Sequence, residues 1–261
     1  MKQKIALVGY GMVGKATAKV LGIPRKDCFD REDKQKWGYD YYILCLPSLN
    51  TYDSTPYLSV AYEIQDLSAI GQWLGDIRRH DPKATVILRS TVLPGTTKEY
   101  AKVYKLKIVY IPEFLTEKTA TKDEKKPEFL VIGSKSEALG RKVLGLFGAG
   151  YCKPKKVIFT DTTTAELIKY TMNSFFALKV IFGNQMYDVA KEVKADYKKL
   201  VSVLESHKWG SKNGWNVWQG GYRGYGGHCL PKDTEAFRQK FNLPLVDTMI
   251  RINKGLLNEK K

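Results

Sequence analysis

The sequence predicts an α/β protein: a Rossmann-like doubly wound parallel sheet, followed by a long central helix and a small helical domain. Three observations carry this expectation. Short apolar runs alternate with helix-like segments through the first part of the chain, the pattern of strands joined by helical crossovers. The first run, Ile5-Ala6-Leu7-Val8, flows directly into the glycine-rich turn Gly9-Tyr10-Gly11-Met12-Val13-Gly14. From Thr164 to Lys194 the texture changes to one helical pattern without an internal proline.

Each element follows in order. Ile5 to Val8 forms the first strand, and Lys15 to Leu21, with its Ala, Val and Leu, continues from the turn as a helix. Cys28-Phe29-Asp30 ends a short second strand. Only about ten residues separate Asp30 from the strand beginning near Tyr41. That is too few for the helix and strand normally found there, so the sheet is expected to have lost a strand. Tyr41 to Leu46, Thr85 to Leu88, Lys107 to Ile111 and Phe129 to Ile132 read as strands, with Gln65 to Arg79 and Ser136 to Phe147 as helices. In the Thr164 to Lys194 run, Ala165, Ile168, Met172, Phe175, Phe176, Leu178, Ile181 and Phe182 supply the apolar positions. A helix of some 30 residues spans about 45 Å. That exceeds the usual globular helix and suggests a spine joining two domains or two subunits. Ala195 to Lys261 reads as helical apart from a Trp- and Gly-rich loop between Trp209 and Cys229.

Composition bounds the class. The chain has 261 residues, ample for a core, and no apolar run approaches the length that spans a bilayer. Met1-Lys2-Gln3-Lys4 leads straight into the first strand without a signal-peptide core, so a cytoplasmic location is expected. Four cysteines, Cys28, Cys45, Cys152 and Cys229, form no CxxC pair, which argues against a zinc site or a disulfide scaffold. The net charge of +16 could gather polyanions by counterion release. However, the lysines are scattered, with short clusters only at Lys122 to Lys126, Lys153 to Lys156 and the Glu259-Lys260-Lys261 tail, and no nucleic-acid motif accompanies them. A cationic surface also attracts small phosphorylated substrates.

The glycine turn meets the context that a dinucleotide fingerprint requires, strand before and helix after. Gly9 permits the bend, Gly11 lets a pyrophosphate approach, and Gly14 lets helix pack on strand. The phosphates then lie at the helix's positive end beside Met12 and Val13. Asp30 falls 21 residues after Gly9, where a carboxylate bonds an adenosine ribose. That spacing favours NAD, although Arg31 follows immediately and could instead meet a 2′-phosphate. The chain is therefore divided into residues 1–155, an NAD-binding Rossmann-like domain, and residues 156–261, the long helix with a helical domain. Near the far end, Cys229 sits in Tyr225-Gly226-Gly227-His228-Cys229-Leu230-Pro231-Lys232-Asp233, behind Gly220, Gly221 and Gly224. Such a backbone can bring amide donors to a developing oxyanion, though a tight surface loop holding a small apolar cysteine reads equally well from these residues alone.

Five separated motifs, in order, resemble the UDP-glucose/GDP-mannose dehydrogenase family. They are the turn at 9–14, Ser90-Thr91-Val92-Leu93-Pro94-Gly95-Thr96, Pro112-Glu113-Phe114-Leu115-Thr116-Glu117, Ala165-Glu166-Leu167-Ile168-Lys169-Tyr170-Thr171-Met172-Asn173, and Gly226 to Asp233. The resemblance implies an NAD-dependent enzyme of polysaccharide biosynthesis that oxidises a nucleotide-sugar alcohol twice to the uronic acid, UDP-glucose to UDP-glucuronate. Other UDP- or GDP-sugars, and a non-catalytic or partner-dependent NAD-binding protein, are the alternatives.

On the same resemblance Cys229 is the nucleophile, forming a thiohemiacetal and then a thioester. Lys169 and Asn173, one helical turn apart, hold the oxyanion and contact substrate. Asp233 places or deprotonates a water, in a network shared by Thr91 and Glu117, which also flank the cofactor. Glu113, Phe114, Leu115, Tyr225, Gly226 and Gly227 line the substrate, and Lys232 favours the thiolate by charge. The family further implies a homodimer through the 164–194 helix. Its members continue into a second nucleotide-binding domain, and Arg251-Ile252-Asn253-Lys254 resembles the hinge before it, so this chain is expected to lack that domain or to borrow it from a partner. Lys208 or Arg223 could stand in for the family's inter-subunit arginine. Trp209, Trp215 and Trp218 could stack on a sugar or base, or make a dimer contact.

Overall fold

The computed structural model describes residues 3–30, 33–48, 50–53, 62–148, 153–207, 210, 213–218 and 220–259. The readings that fall on Arg31, Cys152, Lys208 and Trp209 lie outside the described residues. Residues 1–51 with 64–169 form one compact unit, and residues 52–63 with 170–261 form a second.

In chain order the elements are β1 (Ile5–Val8), α1 (Met12–Leu21), β2 (Cys28–Phe29), β3 (Tyr41–Leu44), β4 (Asn50–Asp53), β5 (Tyr62–Gln65), α2 (Ser68–His80), β6 (Thr85–Leu88), α3 (Thr96–Val103), β7 (Lys107–Tyr110), α4 (Ala120–Lys125), β8 (Leu130–Gly133), α5 (Glu137–Gly148), β9 (Val157–Thr160), α6 (Thr162–Glu192), α7 (Tyr197–Ser206), α8 (Cys229–Lys240) and α9 (Pro244–Leu256). The main sheet runs β2-β1-β3-β6-β7-β8-β9, while β4 and β5 pair separately. Every resolved register in the main sheet is parallel except β7–β8, which is antiparallel through Tyr110 and Gly133. The predicted parallel, Rossmann-like sheet is present, with this one antiparallel pair. The link from β7 to β8 carries a 3-10 turn at Glu117–Thr119 and the short helix α4, about 9 Å long, and the chain re-enters the sheet at the end β7 leaves, running the other way.

Strand alternation builds a core on each face of the sheet. Ala6, Val8, Tyr42, Leu44, Val86 and Leu88 point one way and pack with Ile70, Leu74 and Ile77 of α2. Leu7, Ile43, Ile87, Val109 and Ile132 point the other way and pack with Ala18 and Val20 of α1 and Val143 and Phe147 of α5. Each fully buried Val, Leu or Ile side chain among them stabilises the unit by about 1.5–3 kcal/mol.

The sheet ends at β2, as the short connection to β3 led us to expect. Residues 33–40 replace the usual helix and strand with aromatic rings laid over the sheet. Trp37 stacks on His80 at 4.4 Å, and Phe29 stacks on Trp73 at 6.1 Å. Asp81 secures the connection by accepting from Gly38 N–H at 2.7 Å, from Tyr39 N–H at 3.3 Å and from the Tyr42 hydroxyl. Gln65, expected to open a helix, belongs to β5. α2 begins instead at Ser68, whose N–H donates to the Asp66 carboxylate at 2.8 Å.

α6 starts earlier than expected because Asp161 caps it, accepting from Thr164 N–H at 3.0 Å and from its hydroxyl at 2.6 Å. It ends at Glu192. Lys194 then turns left-handed at φ 57°, and Ala195 N–H returns to the Ala190 carbonyl at 2.7 Å. In the second unit Ala177 and Ile181 of α6 share a core with Tyr225 and with Met249 and Leu256 of α9. Among the described residues no helix is long and apolar enough to cross a membrane.

Candidate active site

The three glycines of the turn are required for three different reasons. Gly9 has φ +88°, and a Cβ there would lie 2.4 Å from the Cys45 carbonyl oxygen. A Cβ at Gly14 would lie 1.9 Å from the Gly9 carbonyl oxygen, so only glycine lets α1 sit this close to the turn. At Gly11 a Cβ meets nothing within 4 Å. This open approach leads to the N-terminus of α1, which carries no side-chain cap. A pyrophosphate fits there, received by the N–H groups of the first helical turn at Met12 and Val13 and by the positive end of the helix. Gly9 N–H donates to the Phe29 carbonyl at 2.8 Å, which ties the turn to the end of β2 and leaves Asp30 beside it.

Behind the turn lies a buried charge network not anticipated from sequence. The Arg89 guanidinium donates to both carboxylate oxygens of Glu124, one at 3.0 Å, and to Thr17 Oγ1 of α1 at 2.8 Å. Burial alone would lower the Arg89 pKa, but the neighbouring Glu124 charge holds it above its ordinary value. The thiol of half-buried Cys45, near this network, is pushed up to about 12, with desolvation the main cause.

Thr91 lies on the buried loop after β6, where its carbonyl accepts from Gln65 Nε2 at 3.0 Å. Glu166, fully buried on α6, receives Gly95 N–H at 2.6 Å and Thr97 N–H at 2.7 Å, and so caps α3 while anchoring that loop. The motifs containing Thr91 and Glu166 are therefore joined by direct bonds.

Glu113 and Lys169 form a buried ion pair of 3.0 Å, and the ammonium also donates to the Glu113 carbonyl at 2.7 Å. Leu115 N–H donates to the same carboxylate at 2.9 Å. Burial by itself would raise the Glu113 pKa, but the Lys169 charge and these bonds hold it below its ordinary value. The Phe114 ring faces the Lys169 ammonium at 5.2 Å. Glu117 is exposed on a short 3-10 turn, and among the described residues it shares no hydrogen bond with Thr91.

In the second unit Cys229 is exposed and is the first residue of the 12-residue helix α8. Asp233, one turn along, is almost fully buried and accepts from Asn173 Nδ2 at 2.6 Å. Lys232 pairs with Asp233, so part of the charge expected to act on the thiol is directed to that carboxylate. Gly227 has φ +76° and Gly224 φ +79°. Tyr225 is clamped through its backbone by Asn253, whose Oδ1 accepts Tyr225 N–H at 2.7 Å and whose Nδ2 donates to the Tyr225 carbonyl at 2.9 Å. Asn253 belongs to the segment that sequence reading took for a hinge; the clamp gave no signal there because it depends on a contact 28 residues apart.

Two expected roles do not match the geometry. Arg223 is buried and consumed inside the chain by Asn184 at 3.1 Å, Asp188 at 2.7 Å and Glu259 at 2.6 Å, so it does not reach outward. Trp215 is buried under the Lys179 ammonium at 4.9 Å and edge-on to Phe182, in the unit's own packing rather than open to a ring ligand.

Sequence profiles of the UDP-glucose/GDP-mannose dehydrogenase family match this chain, the NAD binding domain over residues 53–149 and the central domain over residues 163–255. A GDP-mannose 6-dehydrogenase of Pseudomonas putida is 33% identical over 203 residues, covering 71% of this chain and 44% of that protein. A UDP-glucose 6-dehydrogenase of Rickettsia prowazekii is 31% identical over 204 residues, covering 72% and 45%. The chain thus spans less than half the length of these curated relatives. Among solved structures, a UDP-D-ManNAc dehydrogenase from Pyrococcus horikoshii superposes with a TM-score of 0.80 at 20% identity, over 97% of this chain and 68% of that one. A UDP-glucose dehydrogenase from Pyrobaculum islandicum does so with 0.79 at 22%, over 98% and 68%.

Proposed function

Because the chain belongs to the UDP-glucose/GDP-mannose dehydrogenase family, whose cofactor is NAD, we propose that it carries out the four-electron oxidation of a nucleotide sugar, UDP-glucose to UDP-glucuronate, through Cys229. The observation that carries this reading is the second unit's arrangement of an exposed cysteine at a helix N-terminus, with Asp233 one turn further on and bonded to Asn173. NAD, when bound, supplies the electron-pair acceptor for both oxidations. The Gly9 to Gly14 turn and the first turn of α1 hold its pyrophosphate, and Asp30 its adenosine ribose.

The remaining chemistry falls to side chains. After the sugar's primary alcohol has become an aldehyde, the Cys229 thiolate adds to the carbonyl carbon and the carbonyl oxygen becomes an alkoxide. Asn173 carries a second amide N–H beyond the one given to Asp233, and Lys169 carries an ammonium; both suit that oxygen. Loss of the second electron pair leaves a thioester on Cys229. In this reading Asp233 orients the water that attacks the thioester and takes one of its protons, and the C–S bond breaks to return the thiolate with the carboxylic acid as product. Thr91 and Glu117 keep their proposed place near the cofactor, and Glu113, Phe114, Leu115, Tyr225, Gly226 and Gly227 near the sugar. A homodimer through α6 and a separate source of nucleotide grip are part of this reading. So is a location in the cytoplasm.

The test is NADH formation by the purified protein with NAD and a panel of UDP- and GDP-sugars, run beside Cys229→Ser. Two NADH per sugar, lost in the variant, support the reading. A GDP-sugar as the preferred substrate would correct the choice of nucleotide. NADH formation undiminished in Cys229→Ser would rule out covalent catalysis at that residue.

A further inference from the structure

The end of β2 holds a constellation that the reaction does not use. Asp33 Oδ2 accepts from an Arg25 guanidinium nitrogen at 2.9 Å and from Asp30 N–H at 2.9 Å. Its other oxygen lies 3.3 Å from the same Arg25 nitrogen. Arg25's second terminal nitrogen donates to the Cys28 carbonyl at 2.7 Å, and the guanidinium lies 4.7 Å from the centroid of the Tyr10 ring inside the glycine turn. A fixed cation and a main-chain N–H therefore converge on one oxygen, at the end of the strand where this fold receives the adenosine ribose.

These two donors are what a ribose 2′-phosphate would need, since in this fold a nearby arginine accommodates that group. We propose that the Asp33 carboxylate is a built-in occupant of a 2′-phosphate site formed by Arg25 and Asp30 N–H, and that by filling it Asp33 excludes NADP and sets the preference for NAD. The proposal rests on the cofactor assignment. A 2′-hydroxyl needs neither donor, so NAD is unaffected by their engagement, whereas a 2′-phosphate meets a carboxylate where it requires cations. The Arg25 hydrogen bond, and then the Asp30 N–H, hold the Asp33 carboxyl below its ordinary range. Sequence reading placed the NADP question on Arg31; the geometry moves it to Arg25 and the acid that covers it.

The experiment is calorimetric titration of NAD and NADP into the wild-type chain, Asp33→Ala, Asp33→Asn and Arg25→Ala/Asp33→Ala. Releasing two donors, one charged, is expected to raise NADP affinity by about ten-fold or more in Asp33→Ala, while NAD affinity changes less than about three-fold. Asp33→Asn, which keeps the shape and removes the charge, should show a gain as well. The double variant should lose it. An unchanged NADP-to-NAD ratio in both Asp33 variants overturns the proposal, as does a gain that survives removal of Arg25. A wild-type chain that binds neither dinucleotide would overturn the cofactor assignment along with it.

Discussion

Glu124→Gln removes one partner of the buried pair that bonds Thr17 of α1, with almost no change in shape. Arg89 and Glu124 have side chains only 2% and 7% exposed, so water cannot take over as counterion. A guanidinium does not shed its proton under any ordinary condition. Uncovering such a charge in the interior costs about 3–5 kcal/mol, and since the amide oxygen of glutamine can still accept one hydrogen bond, the lower end is expected. Set against a typical total stability of about 5–15 kcal/mol, that is a large fraction. At roughly 2–4 °C per kcal/mol for a unit of this size, the melting temperature should fall by roughly 6–12 °C. Urea unfolding followed by circular dichroism, with a parallel thermal scan, measures both. Arg89→Met/Glu124→Leu, which removes the pair together, should recover to within about 1 kcal/mol of wild type. A single variant costing under about 1 kcal/mol, or a double variant as costly as the single, would refute the reasoning.

Other outcomes follow from the same geometry. Gly14→Ala, with its Cβ 1.9 Å from the Gly9 carbonyl oxygen, must push α1 off the turn; NAD binding by calorimetry should drop by at least about ten-fold, and unchanged affinity would show that the turn yields freely. Glu113 has a folded pKa below its unfolded value of about 4.3, so its ion pair contributes stability that is full above that value and is lost as pH falls through the folded pKa. The urea stability of Glu113→Gln should therefore lie below wild type at neutral pH and converge with it as the pH is lowered past about 4; parallel curves would contradict the pairing. In a timed iodoacetamide reaction at neutral pH, mapped by peptide mass, Cys229 should label well before Cys28 and Cys45, whose thiols burial pushes to about 11 and about 12. Faster labelling of Cys45 would mean that its strand end opens readily.

What could be read in the sequence was what is local. Ile5 to Val8 with its glycine turn, the Thr85 to Leu88 and Lys107 to Ile111 strands, and the long helix announce themselves by periodicity or by glycine spacing, both fixed within a few residues. Strand direction is not local, which is why the antiparallel entry of β8 went unseen. The same holds for Arg89 with Glu124, partners 35 residues apart, and for Glu166, which reaches back 71 residues to Gly95. Neither pair leaves a periodic trace. The motif around Glu166 marked Lys169 and Asn173 for chemistry, while the acid beside them holds a loop in place. Arg223 misled for the opposite reason: an arginine in a glycine-rich loop reads as exposed, and only the fold shows three acceptors closing around it.

The Asn253 clamp also has a consequence in time. Asn253 is made 24 residues after Cys229, which at a synthesis rate of about 5–20 residues per second is a lag of about 1 to 5 seconds. During that interval a nascent chain already carries its thiol, but the glycine-rich loop that presents it has nothing to lock onto. The backbone of Tyr225 can be seized only once α9 has formed. The reactive group is therefore set in position only after the segment carrying Asn253 has been made, and a polypeptide stalled before residue 253 would carry the cysteine without the means to aim it.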